Sequence, residues 1–282
     1  MAQEETRGAH SQDSALCSSL TTAELQHNWK EEKSRERPLK LLFQLPSHRE
    51  TQTVFSRHVV FQVVVMRSGS FDSHRVSVER RYSDFSKLHQ TLLQEFNEEL
   101  DEISLPPKLL TGNFSEECLL ERRRALQNYL SALSANPCVR RCAHFADFFT
   151  DPELRKAHSL LRAGQFHSAL EMLKLVLQIQ EKLAPWQSAT FAVHTLAALA
   201  VCHRDLDEEE QAYAAADRAL LTVRQYGPSQ YRGPLLQLLV DVGFSLGRRV
   251  AQLQDEMLRL REAQRGRVDT RSLKEIVIQS FV

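Results

Sequence analysis

An excess of charge of one sign is the first thing this sequence lacks: lysine and arginine total 36, and aspartate and glutamate also total 36. A chain so balanced has no bulk attraction for nucleic acid or an anionic surface, so any anion site must come from local clustering. Long apolar runs are missing too. No stretch approaches a membrane span, which takes about 20 residues. MAQEETRGAHSQDS at residues 1–14 has no signal-peptide core, and this predicts a soluble, intracellular chain. Cysteine is sparse: five residues at irregular spacing, an odd number that suits reduced cytosolic thiols better than a disulfide framework.

Catalytic and metal signatures are incomplete. HRDLD at residues 203–207 has the look of a kinase catalytic loop, but Glu208, Glu209 and Glu210 follow where a metal-holding asparagine is needed, and no glycine-rich loop or strand lysine precedes it. Cys138, Cys142 and His144 have no second pair at structural-zinc spacing. The histidines form no triad with a serine or cysteine. The expectation is a protein that is not an enzyme, with no metal and no cofactor.

What is present is a sequence that changes pattern twice. Residues 1–37 are polar, with Thr21 and Glu24 spaced as a capping box for one short helix before Pro38. Residues 38–151 alternate in strand fashion through LKLLFQL, HVVFQVVVM and RVSVERRY, with turn signals at PSHRE and RSGSFDSH, which predicts a three-stranded antiparallel sheet. Phe85, Leu88, His89, Leu92, Leu93 and Phe96 then recur with helical period, with Ser83 as the expected cap. A loop containing LPPKLLTGNF leads to a helix from Ser115 to about Ala135, opened by Glu116 and Glu117, and a shorter helix around VRRCAHFADFF closes the unit.

Residues 152–282 read as helical hairpins. In the first, Gly164 makes the bend, Phe166 packs into it and Ala169 permits close approach of the two helices. Ala212 takes the place of Ala169 in a second copy, and a third is centred near Gly247. The prediction is a tetratricopeptide-like domain, with an ordinary helical bundle as the alternative. SLKEIVIQSFV near the end reads as a strand or short helix able to dock on it.

Arg80, Arg81 and Tyr82 fall where a strand ends and a helix begins. A guanidinium beside free helix amides suits a phosphate, and the tyrosine ring can lie under a sugar or inositol. On the later helix Arg122 and Arg123 interrupt the apolar stripe Leu119, Leu126, Leu130, Leu133. A charge turned inward there needs a partner, either Asp84 or Glu79 or a polar ligand. Lys108, behind Pro106 and Pro107, adds a cation on the intervening loop.

RRYSDF, then LPPK, then ERRRALQNYL in that order resembles a phox-homology (PX) domain over about residues 38–150. The resemblance implies an α+β fold and binding of phosphatidylinositol 3-phosphate in membranes. By position, Arg81 would hold the 3-phosphate and Tyr82 would lie under the inositol ring. Lys108 would meet the 1-phosphate, and Arg122 would hydrogen-bond the 4- and 5-hydroxyls. Arg80 is assigned to the sheet, and Arg123 and Arg124 to anionic lipid. The second proline common in the family's loop is absent after Lys108, while Leu109, Leu110 and Phe114 are candidates for membrane insertion. With helical hairpins following, the chain resembles a small subgroup of sorting nexins. That implies a peripheral adaptor on the cytosolic face of early endosomes, its helical half holding a cytosolic protein or the cytoplasmic tail of a transmembrane cargo. A protein scaffold without lipid binding, or less favourably a nucleic-acid-binding protein, are the alternatives.

Overall fold

A computed structural model describes residue 26 and residues 39–52, 57–68, 75–108, 114–263 and 271–280. Gln26 aside, the expected N-terminal helix lies outside these residues. Four strands form one antiparallel sheet: β1 (Leu41–Gln44), β2 (His48–Gln52), β3 (Arg57–Arg67) and β4 (Val76–Arg81). β3 is central, with β1 and β2 in succession along one side and β4 along the other. The predicted meander is therefore present, with its first row broken in two. PSHRE, expected as a turn, instead straddles that break. Pro46 has no N–H for the ladder, and the chain rejoins it at His48. The break is held from outside: Leu45 N–H donates to Gln127 at 3.2 Å, and Arg123 Nε donates to the Leu45 carbonyl at 2.8 Å. Arg123 thus serves the fold, which corrects its expected role facing lipid.

Four helices cover the inner face of the sheet: α1 (Tyr82–Glu95), α2 (Glu116–Ala135), α3 (Pro137–Arg141) and α4 (Ala143–Arg162). Ser115 caps α2 as expected, accepting from Cys118 N–H at 3.3 Å. Phe61, Val63, Val65, Val76 and Val78 meet the apolar stripes of these helices in one core. Phe43 stacks on Phe149 with centroids 5.5 Å apart, and Phe85 meets Phe148 edge-on at 5.0 Å. Burial of each such ring contributes about 1.5–3 kcal/mol.

The closing helix is longer than its sequence suggests. α4 runs through Pro152, and the expected domain division between residues 151 and 152 falls inside it. A proline within a helix removes the N–H owed to the carbonyl four residues back. That carbonyl belongs to Phe148, and Arg80 Nε supplies the missing donor at 2.5 Å.

Beyond α4 lie α5 (Phe166–Leu183), α6 (Val193–Asp205), α7 (Glu209–Tyr226), α8 (Arg232–Ser245), α9 (Ala251–Ala263) and α10 (Leu273–Gln279). The bends of the three hairpins share one geometry. Gly164, Asp207 and Gly247 have φ of +71°, +58° and +66°. In each, the next N–H reaches back to the preceding helix: Gln165 to Leu160 at 2.9 Å, Glu208 to His203 at 2.8 Å, Arg248 to Gly243 at 2.8 Å. Ala169 and Ala212 are fully buried where the paired helices approach. α10 settles the alternative for the described part of SLKEIVIQSFV: Leu273–Gln279 is a helix, capped by Ser272 and Glu275, with Leu273, Ile276 and Val277 buried in the hairpin core. Ile179 and Leu183 of α5 join the core beneath the sheet, so the two halves pack continuously. Among the described residues no helix is long and apolar enough to cross a membrane.

Candidate functional site

The register of the sheet pairs Phe61 with Arg80 and Val60 with Arg81. Side chains alternate along a strand, so the two adjacent arginines leave on opposite faces. Arg80 turns inward and is 2% exposed. Its two terminal nitrogens each meet a Glu153 oxygen at 2.7 Å, in addition to the Phe148 bond. Arg81 is exposed. Its backbone N–H donates to Asp84 Oδ2 at 2.7 Å, so α1 begins at Tyr82 with Arg81 as the flanking residue. Ser83, the expected cap, lies inside the first turn. Asp84 does the capping, and its charge sits favourably at the positive end of the helix.

Tyr82 donates its hydroxyl to the Pro106 carbonyl at 2.6 Å. That bond ties the Pro106-Pro107 loop to α1 and brings Lys108 Nζ to 5.1 Å from the Tyr82 ring centroid. From α2, the guanidinium of Arg122 lies 5.6 Å from the same centroid. Burial pushes the Tyr82 phenol up from its ordinary value, with the Arg122 charge opposing. Arg122 is itself buried, at 8% exposure. Of the two carboxylates considered as its partner, Asp84 caps α1 and Glu79 pairs with Arg49 at 2.9 Å.

These side chains line a cavity of about 420 Å³. Arg81, Tyr82, Lys108 and Arg122 all reach it, together with Arg57, His58 and Phe114. Among the described residues its lining carries four formal cations and no carboxylate. Phe114 stands at the rim, 36% exposed, beneath the Arg57 guanidinium at 4.3 Å. Leu109 and Leu110 lie outside the described residues. Arg57 is the lining cation that sequence reading missed, as His58 beside it also was. It opens β3 at residue 57, three positions before the partner of Arg81, and only the register reveals that proximity.

The other motifs have structural work. Within HRDLD, Asp205 pairs with Lys274 of α10 at 2.8 Å and Asp207 forms the left-handed bend. Cys142 and His144 both turn to Glu95, at 3.6 and 2.9 Å. Among the described residues, no group of three or more histidines, cysteines or carboxylates is placed to hold a metal.

Comparison with known proteins adds three findings. The PX domain family matches residues 68–152, from the end of β3 into α4. Sorting nexin-20 of Bos taurus is 42% identical over 267 residues, covering 94% of this chain and 83% of its own. Sorting nexin-21 of Mus musculus is 33% identical over 270 residues, covering 96% and 74% respectively. Among solved structures, a designed CISK-PX domain aligns with 95% of its length and 38% of this chain, at 25% identity and a TM-score of 0.32.

Proposed function

The chain belongs to the sorting nexin family, and from that premise we propose that it is an endosomal adaptor that holds phosphatidylinositol 3-phosphate in the cavity around Tyr82. One observation carries the reading: three elements far apart in sequence deliver Arg81, Lys108 and Arg122 around one aromatic ring, in a cavity with no acidic lining among the described residues. Arg81 takes the 3-phosphate, beside the N-terminus of α1. Lys108 takes the 1-phosphate, Arg122 takes ring hydroxyls, and Tyr82 lies under the inositol. Each charge-assisted bond contributes about 1.5–3 kcal/mol net. Basic residues near an anionic surface add about 1 kcal/mol each. Phe114 at the rim, with Leu109 and Leu110, enters the bilayer.

The helical half holds a cytosolic protein or the cytoplasmic tail of a membrane cargo. Two contacts, lipid and protein, lengthen residence on the early endosome beyond what either gives alone. The adaptor carries out no catalysis.

Co-sedimentation of the full chain with vesicles tests this, using each phosphoinositide in turn at fixed salt. Pelleting with phosphatidylinositol 3-phosphate and its loss in Arg81→Ala, with the fold retained, is the expected outcome. Equal pelleting of both proteins would remove the Arg81 cavity as the lipid site, and pelleting of neither would leave a scaffold without lipid binding. Binding that follows nucleic acid and collapses steeply with salt would indicate the third reading.

A further inference from the structure

A second groove, of about 420 Å³, runs between α1 and α4 and shares none of its described lining residues with the cavity around Tyr82. The two helices lie antiparallel. At one end Arg80, just before α1, reaches the Phe148 carbonyl and Glu153 of α4. At the other, His144 of α4 meets Glu95 of α1 at 2.9 Å. The floor between them is apolar, made by Leu88 at 6% exposure and Phe148 at 8%.

Most charges on the walls are already used. Asp84 accepts from the Arg81 N–H, and Arg155 Nε donates to both Asp151 oxygens at 3.0 and 2.8 Å. Two are not. Lys87 on the α1 wall and Asp147 on the α4 wall make no hydrogen bond or ion pair among the described residues, with each other or with any other group. Loss of surrounding water pushes the Asp147 carboxyl up from its ordinary value and Asp151 adds to the shift, while His144 and Arg155 oppose it. A carboxylate so placed gains from a further cation brought to it. Opposite charges that face each other across an apolar floor without meeting leave room for a ligand carrying the complementary pair.

We propose that this groove docks an extended segment of a partner protein in which a basic and an acidic residue stand side by side next to an apolar one. Consecutive side chains of an extended segment point to opposite sides, so the two charges reach opposite walls. The basic residue meets Asp147, the acidic one meets Lys87, and the apolar one covers Leu88 and Phe148. The groove is thus a protein-docking surface on the sheet-bearing half, in addition to the partner held by the helical half. It does not depend on the headgroup reading of the other cavity.

The test uses the full chain as wild type, Asp147→Asn, Lys87→Ala, the exchanged protein Lys87→Asp with Asp147→Lys, and Thr91→Arg. The last fills the groove from α1 and leaves both charges in place. Thermal unfolding checks the fold of each. The probe is a position-scanning library of capped octapeptides, read for the residue types each protein enriches, with calorimetric titration of the best peptide. The wild type is expected to enrich adjacent basic and acidic residues beside an apolar one. Asp147→Asn should weaken that peptide about tenfold and the more exposed Lys87→Ala about threefold. Thr91→Arg should abolish binding. The exchanged protein should enrich the same peptide with its two charges exchanged, which a merely structural role for Lys87 and Asp147 would not produce. Vesicle binding should stay within about twofold in every variant, since the two sites are separate. No enrichment by the wild type, or enrichment that persists in Thr91→Arg, overturns the proposal. A doubled mass in sedimentation equilibrium that Thr91→Arg returns to the monomer gives the groove to a second copy of this chain and overturns it as well.

Discussion

At the end of β4 two adjacent arginines have the same chemistry and different surroundings. Arg80, at 2% exposure, gives its fork to Glu153 and to the carbonyl that Pro152 leaves without a donor. Arg81 stands exposed at a cavity whose described lining has no carboxylate. The first repairs a defect in α4 and locks that helix to the sheet. The second makes no ion pair among the described residues, and its charge is the one assigned to the proposed headgroup. A pair of like residues in sequence therefore says nothing about which serves the fold, because strand alternation sends neighbours to opposite faces.

The largest effect should come from the buried member. Arg80→Ala strands the Glu153 carboxylate and the Phe148 carbonyl, and is expected to cost about 3–5 kcal/mol, read as a lowered urea midpoint. In a Pro152→Ala background the Phe148 carbonyl regains an intrahelical donor, so the same change should cost about 1 kcal/mol less. A loss that is identical in both backgrounds would disprove the repair role.

Arg81→Ala should do the reverse. Stability should stay within about 0.5 kcal/mol. Vesicle binding should fall by about tenfold to a hundredfold, the equivalent of one lost phosphate contact. If its urea midpoint fell as far as that of Arg80→Ala, the division of labour would not stand.

Buried groups can also be kept uncharged, as the helical half shows. His158 and His194 face each other Nε2 to Nε2 at 2.8 Å, and His194 Nδ1 meets the Tyr231 hydroxyl at 2.7 Å. Burial pushes His158 down to about 4 and His194 down to about 3, from 6.5 in the unfolded chain. Both folded values are depressed, so the unfolded state binds more protons below 6.5. Stability is full above that pH and drains as pH falls through about 4. Unfolding midpoints measured from pH 7 to pH 4 should drop less in His158→Gln than in the wild type. Equal slopes would exclude the pair as a source.

The smallest effect belongs to Tyr82→Phe, which removes only the bond to the Pro106 carbonyl. It should cost about 1 kcal/mol of stability and, by loosening the loop that carries Lys108, about threefold in vesicle binding. Unchanged binding would mean that the loop is positioned by something else.

Much of the helical half was legible because bends and close approaches have local signatures. Gly164, Ala169, Ala212 and the bend at Gly247 all lie where their residue types suggest. Asp207 was not legible as a bend, since a non-glycine residue in the left-handed region is uncommon. In the sheet, PSHRE looked like a turn because proline and serine dominate turns. Pairing of His48–Gln52 with the long β3 overrode that local preference. At the site, Arg81, Tyr82, Lys108 and Arg122 were legible through motif order. Arg57 was not, since its nearness to them is a fact of strand register.

By itself the sequence determined the order of elements, the balanced charge, the helical hairpins and the residue types that can meet a phosphate. These depend on periodicity and on neighbours a few positions apart. Only the tertiary structure decided that α4 runs unbroken through Pro152, that Arg80 repairs it, that Arg123 holds the broken strand, and that Arg57 faces the cavity. Each of these is a contact between residues far apart in the chain, and such contacts follow from packing rather than from local pattern.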